Sequence, residues 1–254
     1  MVTVDLNSDL GEGFGAWACG DDAAMLDIVT TANVACGFHA GDPDVMARTF
    51  RLAKEKGVAV GAHPGYPDLQ GFGRRPMRLS EGEIERMVAY QIGAAAAMAT
   101  WAGHRITHVK AHGALANTAA ADSGIAAAIA RAVRAVDRDL AFLAIAGSEQ
   151  VAAGEAAGLA TVAEIFADRG YDEAGQLVRR GLPGAMIEDP EEAAARALAM
   201  VEEGALITVS GRRIPTPIGS ICVHGDSPHA VASARRLAER LRAAGIALAP
   251  FAGR

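Results

Sequence analysis

The feature that most constrains this chain is a unit written four times: an apolar run ending in histidine, a glycine one or two residues later, then a helical pattern. The copies are Asn33-Val-Ala-Cys-Gly-Phe-His39-Ala-Gly41, Val58-Ala-Val-Gly-Ala-His63-Pro-Gly65, Thr107-His-Val-Lys-Ala-His112-Gly113 and Ile221-Cys-Val-His224-Gly225. Residues two apart share one face of a strand. His108, Lys110 and His112 therefore lie on one side of the third run, with Val109 and Ala111 on the other. A basic row on a buried strand is costly unless acidic groups face it.

The acidic complement is present. The first strand sets Asp5, Asn7 and Asp9 on one face and Val4 and Leu6 on the other. The run from Val162 to Asp168 aligns Glu164 with Asp168, and Cys222, His224 and Asp226 share a face of the last run.

Strand and helix patterns alternate along the chain with short connections. Gly11-Glu-Gly-Phe-Gly15 follows the first strand, and a helix is expected from about Asp21 to Thr30. The second strand, Asn33 to Gly37, leads to Asp42-Pro43, an N-cap before proline at the first helical position, and that helix closes at Gly57. After the third strand, Pro64 to Met77 is a long proline and glycine loop, a length usually tied to function or disorder. Ser80-Glu-Gly-Glu83 reads as a capping box, with Ile84, Met87, Val88, Ile92 and Ala95 in helical period. An alanine-rich helix is expected at about 121 to 136, a fifth strand at Leu140 to Ile145 and a sixth at Thr161 to Ala167. Residues 169 to 188 read as irregular. Asp189-Pro190 starts a helix to about Glu203, and Ile207 to Ile214 reads as a hairpin turning at Ser210-Gly211. The strand Ser220 to His224 leads through Ser227-Pro228 to a last helix with Val231, Ala234, Leu237, Ala238 and Leu241 on its apolar face.

No composition shift divides the 254 residues, so the chain is expected to be one α/β domain over 1–254, a single TIM-like (β/α) barrel. Seven barrel strands are well supported and one is doubtful, which predicts an incomplete or distorted barrel. A doubly wound open sheet is the alternative.

Composition narrows the function. A hydrophobic fraction of 51% with 21% charged residues is that of an ordinary soluble globular protein. No apolar run reaches the roughly 18 residues of a membrane span, and the N-terminus lacks a basic region followed by an apolar one, so a cytoplasmic protein is expected. The net charge of −6, with no basic cluster longer than two residues, argues against nucleic acid and anionic membranes as partners. Cys19, Cys36 and Cys222 form no C-x-x-C, so neither a disulfide framework nor a cysteine zinc site is indicated. Cys36 and Cys222 are expected to pack as small apolar groups.

Barrel interiors are normally filled with Val, Ile and Leu, and barrel active sites lie at the C-terminal strand ends. Any one of these histidines is as readily structural as catalytic; four at equivalent places shift the weight toward a site. The candidate catalytic residues are Asp5, Asn7, Asp9, Glu12, His39, His63, Lys110, His112, Glu164, Asp168 and His224. Asp42 is explained by its cap, His104 and His229 as surface groups, and His108 as a partly buried group without a chemical role. Arg74 and Arg75 are the candidates for holding an anion, because guanidinium offers a carboxylate or phosphate a two-pronged fork.

The motif G-x-x-x-x-G-K-[ST] is absent, which excludes a Walker-type phosphate cradle, and Gly11-x-Gly13-x-x-Ala16 imitates a dinucleotide fingerprint only weakly. Histidine and carboxylates on barrel strand ends also suit a metallohydrolase. With no H-x-H or H-E-x-x-H pair, the sequence leaves a divalent metal open.

These residues resemble the LamB/YcsF family of 5-oxoprolinase components. The resemblance is carried by Asp5-Leu-Asn-Ser-Asp-Leu-Gly-Glu12, Ala32 to Pro43, Gly61-Ala-His-Pro-Gly-Tyr-Pro-Asp68, Gly71-Phe-Gly-Arg-Arg75, His108-Val-Lys-Ala-His-Gly-Ala-Leu115, Phe166-Ala-Asp-Arg169 and Ile221 to Asp226, blocks that span nearly the whole chain. Two positions depart from the family pattern: Ala111, where Pro is usual, and Ala116, where Tyr is usual. The second removes an aromatic near the site. The resemblance implies a barrel like those of the glycoside hydrolases and deacetylases, ATP-dependent opening of 5-oxo-L-proline to L-glutamate with ATP as co-substrate, and partner subunits B and C.

Opening a lactam requires an activated carbonyl, a water nucleophile and protonation of the leaving nitrogen. For that chemistry Asp9 or Asp5 is expected as the base, His112 or His63 as the proton donor, Lys110 as the stabiliser of developing negative charge, and Arg74 or Arg75 as the carboxylate anchor. Asn7 and Glu164 would orient these groups. Asp5, Asn7, Asp9, Lys110, His112 and Glu164 are expected to converge on one cavity. A metal-dependent deacetylase or amidohydrolase, and a non-catalytic component that only binds substrate, are the other readings.

Overall fold

The computed structural model describes residues 2–225 and 229–251. Its elements run β1 (Thr3–Leu10), α1 (Asp22–Met25), β2 (Thr31–Ala35), α2 (Pro43–Lys56), β3 (Ala59–His63), α3 (Glu81–Trp101), β4 (Ile106–Lys110), α4 (Gly113–Ala121) and α5 (Ser123–Val136). They continue as β5 (Ala141–Ile145), α6 (Glu149–Ala156), β6 (Thr161–Phe166), α7 (Pro190–Glu203), β7 (Ala205–Ile207), β8 (Arg213–Pro215), β9 (Ser220–Val223), α8 (Ala230–Ala243) and β10 (Ala247–Leu248).

Strands β1 to β6 pair in sequence order, β9 joins β6, and a β9 to β1 pairing closes a seven-stranded barrel, all of it parallel. Strand β10 adds beside β1 outside the ring, with Thr3 opposite Ala247. The antiparallel β7–β8 pair is a separate hairpin. Ladders on both sides of β1 leave no edge in the ring, so the expected distortion takes the form of one strand fewer than the usual eight.

Local chemistry accounts for the helix ends. Asp42 accepts from the backbone N–H groups of Asp44 and Val45, both at 2.9 Å, and Gly57 closes α2 in the left-handed conformation at φ 68°. The Ser80–Glu83 capping box starts α3 as expected, and Asp189 caps α7. Leu6, Val34, Val60, Val109, Phe142, Ile165 and Ile221, on the outward faces of the barrel strands, are buried against the helices. Phe50, Ile84, Ile92, Ile129, Val133 and Leu237 belong to the same core.

Several boundaries differ from expectation for tertiary reasons. Helix α1 stops at Met25 rather than near Thr30, because by Thr30 the chain has joined the sheet: its N–H donates to the Leu6 carbonyl at 2.9 Å and its hydroxyl to Asp5 at 2.6 Å. The strand expected from Thr107 onward ends at Lys110. One alanine-rich helix becomes two, α4 and α5, divided at Asp122, whose carboxylate accepts from the N–H groups of Gly124 and Ile125. Helix α6 and strand β10 carried too weak a pattern to be expected. His104 is partly buried rather than on the surface, with Nε2 3.0 Å from the Val58 carbonyl, whereas His229 is exposed. The expected link through Ser227-Pro228 lies outside the described residues, as does Asp226. Among the described residues no helix is long and apolar enough to cross a membrane.

Candidate active site

The barrel interior is polar where such barrels are usually aliphatic. At its lower level Asp5 is fully buried and accepts from Thr30 Oγ1 at 2.6 Å, Thr31 Oγ1 at 2.5 Å and the Ser220 hydroxyl. One level up, Asn7 donates to Ser220 Oγ at 2.7 Å and to Glu164 Oε2 at 3.2 Å, while its Oδ1 accepts from Asn33 Nδ2 at 2.8 Å. Asn33 also donates to Asp9 Oδ1 at 2.9 Å and accepts from His108 Nε2 at 2.8 Å. That last bond places the His108 proton on Nε2 and leaves the lone pair on Nδ1, 3.1 Å from Thr107 Oγ1. His108 is fully buried, and burial pushes its pKa down to about 3.

Lys110 stands at the centre of this network. Its Nζ lies 3.0 Å from Asp9 Oδ1, 3.1 Å from Glu164 Oε2, 3.1 Å from Asn7 Oδ1 and 3.0 Å from Cys222 Sγ. Burial opposes the ammonium charge, yet Asp9 and Glu164 beside it hold its pKa well above the usual lysine range. Burial likewise opposes ionisation of Asp9, but His63 and Lys110 outweigh it and hold the carboxyl well below the usual carboxylate range. Glu164 and Asp5 go the other way, pushed up by burial. Environment thus separates one ionised carboxylate from two that take protons readily. Cys222 packs within the buried core as expected, and its sulfur also faces Lys110 in the barrel interior.

Above this network opens a cavity of about 780 Å³. Asp9, Glu12, His63, Lys110, His112 and His224 line it. Asp5, Asn7 and Glu164, expected on the same cavity, lie beneath it within the barrel, and His39 and Asp168 are also off its wall. Asp5 is sealed by its three hydroxyl partners, away from the cavity that Asp9 reaches. Asp168 receives His224 Nδ1 at 2.7 Å and 2.9 Å, which fixes that ring and turns its other edge toward the cavity. Burial works against the Asp168 charge, but His224 draws its pKa below the usual value. A His224 ring nitrogen, an Asp9 carboxylate oxygen and the Cys222 sulfur all lie within 4.8 Å of one another.

Beside Asp9, three histidines from three strand ends meet. The His39 and His112 rings stack at 3.6 Å between centroids and 3° between planes, and His63 stands edge-on to both. Glu12 Oε1 is 3.5 Å from His39 Nε2 and 3.8 Å from His112 Nε2, and His63 Nε2 is 3.4 Å from Asp9 Oδ2. Burial, then the neighbouring histidines, hold His39 and His112 well below the usual histidine range. A ring kept neutral in this way is a poor proton donor at neutral pH, which counts against the acid role expected for His112.

Arg74 lines the cavity, its guanidinium 5.0 Å over the Phe72 ring. Arg75 does not: its Nε sits 3.0 and 3.1 Å from the two oxygens of Asp68, and its side chain is 65% exposed. The irregular segment after β6 supplies Gln176 to Arg180 to the wall together with Arg169. Arg169 is buried and donates to the carbonyls of Ala185 at 3.0 Å and Val178 at 2.7 Å, which holds that segment in shape. Sequence reasoning missed Asn33, Ser220 and the loop arginines. Period-two alternation in β2 and β9 could have found the first two, since Asn33 and Ser220 sit in register with Asp9 and Asp5 on neighbouring strands. Ala116 forms part of the cavity wall.

These features define a seven-stranded (β/α) barrel with a buried acid–base centre at the C-terminal ends of its strands. The chain belongs to the LamB/YcsF family, whose model matches residues 4–254. It is 61% identical over 252 residues to the A component of 5-oxoprolinase from Azorhizobium caulinodans, covering 99% of this chain and 100% of that one. The crystal structure of a lactam utilization protein from Thermus thermophilus superposes with a TM-score of 0.92 at 46% identity, over 98% of this chain and 100% of that one. The catalytic domain of a peptidoglycan N-acetylglucosamine deacetylase from Eubacterium rectale shares the fold alone, with a TM-score of 0.54 at 11% identity over 99% of this chain and 89% of that one.

Proposed function

We propose that this chain, working as one domain, is the A component of a cytoplasmic 5-oxoprolinase that hydrolyses the lactam of 5-oxo-L-proline to L-glutamate with ATP as co-substrate. The observation that carries the reading is Asp9, held ionised by Lys110 and His63 at the floor of a cavity whose wall carries Arg74, Arg169 and Arg180. An ionised carboxylate accepts a proton from water, and cationic walls suit a substrate that is itself a carboxylate. The names carried by the full-length relatives support the same substrate.

In this reading Asp9 draws the proton from the attacking water, and Lys110 Nζ stabilises the negative charge that develops around the reacting carbon. His224, its Nδ1–H held by Asp168 and its Nε2 3.5 Å from Arg180, would donate the proton that the leaving nitrogen requires from its doubly protonated form. Arg74 anchors the substrate carboxylate, while Asn7, Asn33 and Glu164 hold Asp9 and Lys110 in place. Phosphorylation of the lactam oxygen by ATP, with release of ADP, would make the ring carbon electrophilic; addition of water and departure of the nitrogen then leave an acyl phosphate, which a second water hydrolyses to the carboxylate and inorganic phosphate. With no Walker-type loop in this chain, we assign ATP binding wholly or partly to partner subunits B and C. Those partners would cover the cavity mouth along the loops 64–77 and 169–188, since added function attaches to the C-terminal face of a barrel.

The test is glutamate release from 5-oxo-L-proline and ATP by the isolated chain and by the chain with subunits B and C. Turnover is expected only with the partners, and Asp9→Asn is expected to abolish it without preventing assembly. Robust ATP-dependent turnover by the isolated chain would return phosphoryl transfer to this barrel; full activity in Asp9→Asn would remove Asp9 as the base.

A further inference from the structure

Among the described residues, the buried side-chain nitrogens and oxygens without a hydrogen-bond partner are all imidazole nitrogens: His39 Nδ1 and Nε2, His63 Nε2 and His112 Nδ1. Each buried polar atom left unpaired costs about 1–3 kcal/mol. Four such atoms lie in one cluster of stacked and edge-on rings, where His63 also bonds through Nδ1, and packing does not explain the deficit. A neutral imidazole always carries one N–H and one lone pair, and the surroundings dictate where the lone pairs point. His63 Nδ1 lies 2.8 Å from the Lys110 carbonyl, which only an N–H can satisfy, so in the neutral ring that a metal requires Nε2 carries the lone pair. For His39 and His112 the Nδ1 edges are closed by backbone. A Cβ added at Gly65 would come 2.8 Å from His39 Nδ1, and one at Gly73 would come 2.8 Å from His112 Nδ1. Their Nε2 edges face Glu12 instead.

We propose that Glu12 Oε1 and the Nε2 atoms of His39, His63 and His112 bind one divalent first-row transition-metal ion. One ligand atom from each of the four residues lies within 4.8 Å of the others, and the Glu12 to His39 separation of 3.5 Å is close to the ligand spacing around an ion with bonds of about 2.0–2.1 Å. Three imidazoles and one carboxylate favour zinc, iron, cobalt or nickel over magnesium or calcium. The bond from His63 Nδ1 to the Lys110 carbonyl is the kind of outer partner that fixes the tautomer of a metal-bound histidine. Glu12, His63 and His112 reach the cavity wall, so such an ion would present its remaining coordination positions to the cavity beside Asp9. Bound there it would lower the pKa of a bound water toward about 7 or polarise a carbonyl. The site stands whether or not 5-oxo-L-proline is the substrate, because every argument for it concerns the ligand atoms.

The test uses the full chain, stripped with a chelator and titrated with Zn2+ and with Co2+ by calorimetry, followed by X-ray absorption on the loaded protein. We expect one ion per chain, a first shell dominated by nitrogen and oxygen with at least two imidazoles, and a rise in melting temperature on loading. Glu12→Gln and His39→Gln should each weaken binding by more than the roughly 10–100-fold that loss of an outer partner costs. Absence of saturable binding of either ion would overturn the site. So would a sulfur ligand at about 2.3 Å, which would place the ion at Asp9, Cys222 and His224. Unchanged affinity in both variants would do the same, and if those variants fail to fold, the ligand count from the wild-type spectrum decides.

Discussion

Replacing Lys110 with Met keeps most of the side-chain bulk and removes the ammonium that faces Asp9 Oδ1 at 3.0 Å and Glu164 Oε2 at 3.1 Å together. Lys110 is 3% exposed, so solvent screens its carboxylate partners little. Removing one partner of a buried ion pair costs about 3–5 kcal/mol, because the remaining charge stays buried and uncompensated. Glu164 offers partial relief: burial already pushes its pKa up, and without Lys110 it takes a proton. Asp9 keeps His63 nearby and loses its closest cation. Lys110→Met should therefore lower stability by about 3 kcal/mol or more near neutral pH. The loss should shrink as the pH is lowered, since Glu164, whose folded pKa burial raises above its unfolded value, then takes a proton and no longer needs the missing cation. Urea denaturation at about pH 7 and about pH 5, read by circular dichroism, measures both quantities. The double variant Lys110→Met/Glu164→Gln should recover part of the loss, with a coupling of about 0.5–3 kcal/mol. In the complete complex turnover should fall at least about a hundredfold. A neutral-pH loss below about 0.5 kcal/mol, or one independent of pH, would refute the paired, buried lysine.

The two neighbouring arginines should separate in kinetics: Arg74→Met should raise KM for 5-oxo-L-proline by about tenfold or more, the worth of one charge-assisted hydrogen bond. Arg75→Met, which loses a half-exposed pair with Asp68 away from the cavity, should leave KM unchanged. In folded protein His108 titrates at about 3, against about 6.5 in the unfolded chain, so the unfolded state binds the extra proton. Stability should fall as pH drops from about 6.5 toward about 3, and chemical denaturation across that window should show a shallower slope in His108→Gln. Gly61 faces His108 so closely that an added Cβ would lie 2.3 Å from its Nε2. Gly61→Ala should cost about 1–3 kcal/mol in thermal or urea unfolding, and His108→Ala in the same chain should restore part of it.

Much of the architecture could be read from the chain alone because its signals are short in range. The caps at Asp42, Ser80 and Asp189, the left-handed stop at Gly57 and the period-two faces of β1 and β4 depend on residues within a turn or a pleat of one another. That Asp5, Asn7, Asp9, Lys110 and Glu164 face a common interior follows from the same period. Height within the barrel does not. Asp5 and Asp9 share a face, yet Asp5 is closed off by Thr30, Thr31 and Ser220, while Asp9 rises to the cavity between Lys110 and His63. Tertiary structure also decided that Arg74 reaches the cavity while Arg75 turns to Asp68, and that His39, His63 and His112 meet at Glu12. Contacts such as Asn7 to Glu164, 157 residues apart, and Asn7 to Ser220, 213 apart, exist only because β9 returns to β1. The partners of a strand, and the register in which it meets them, are set when the ring closes, and no local pattern along one strand carries that information.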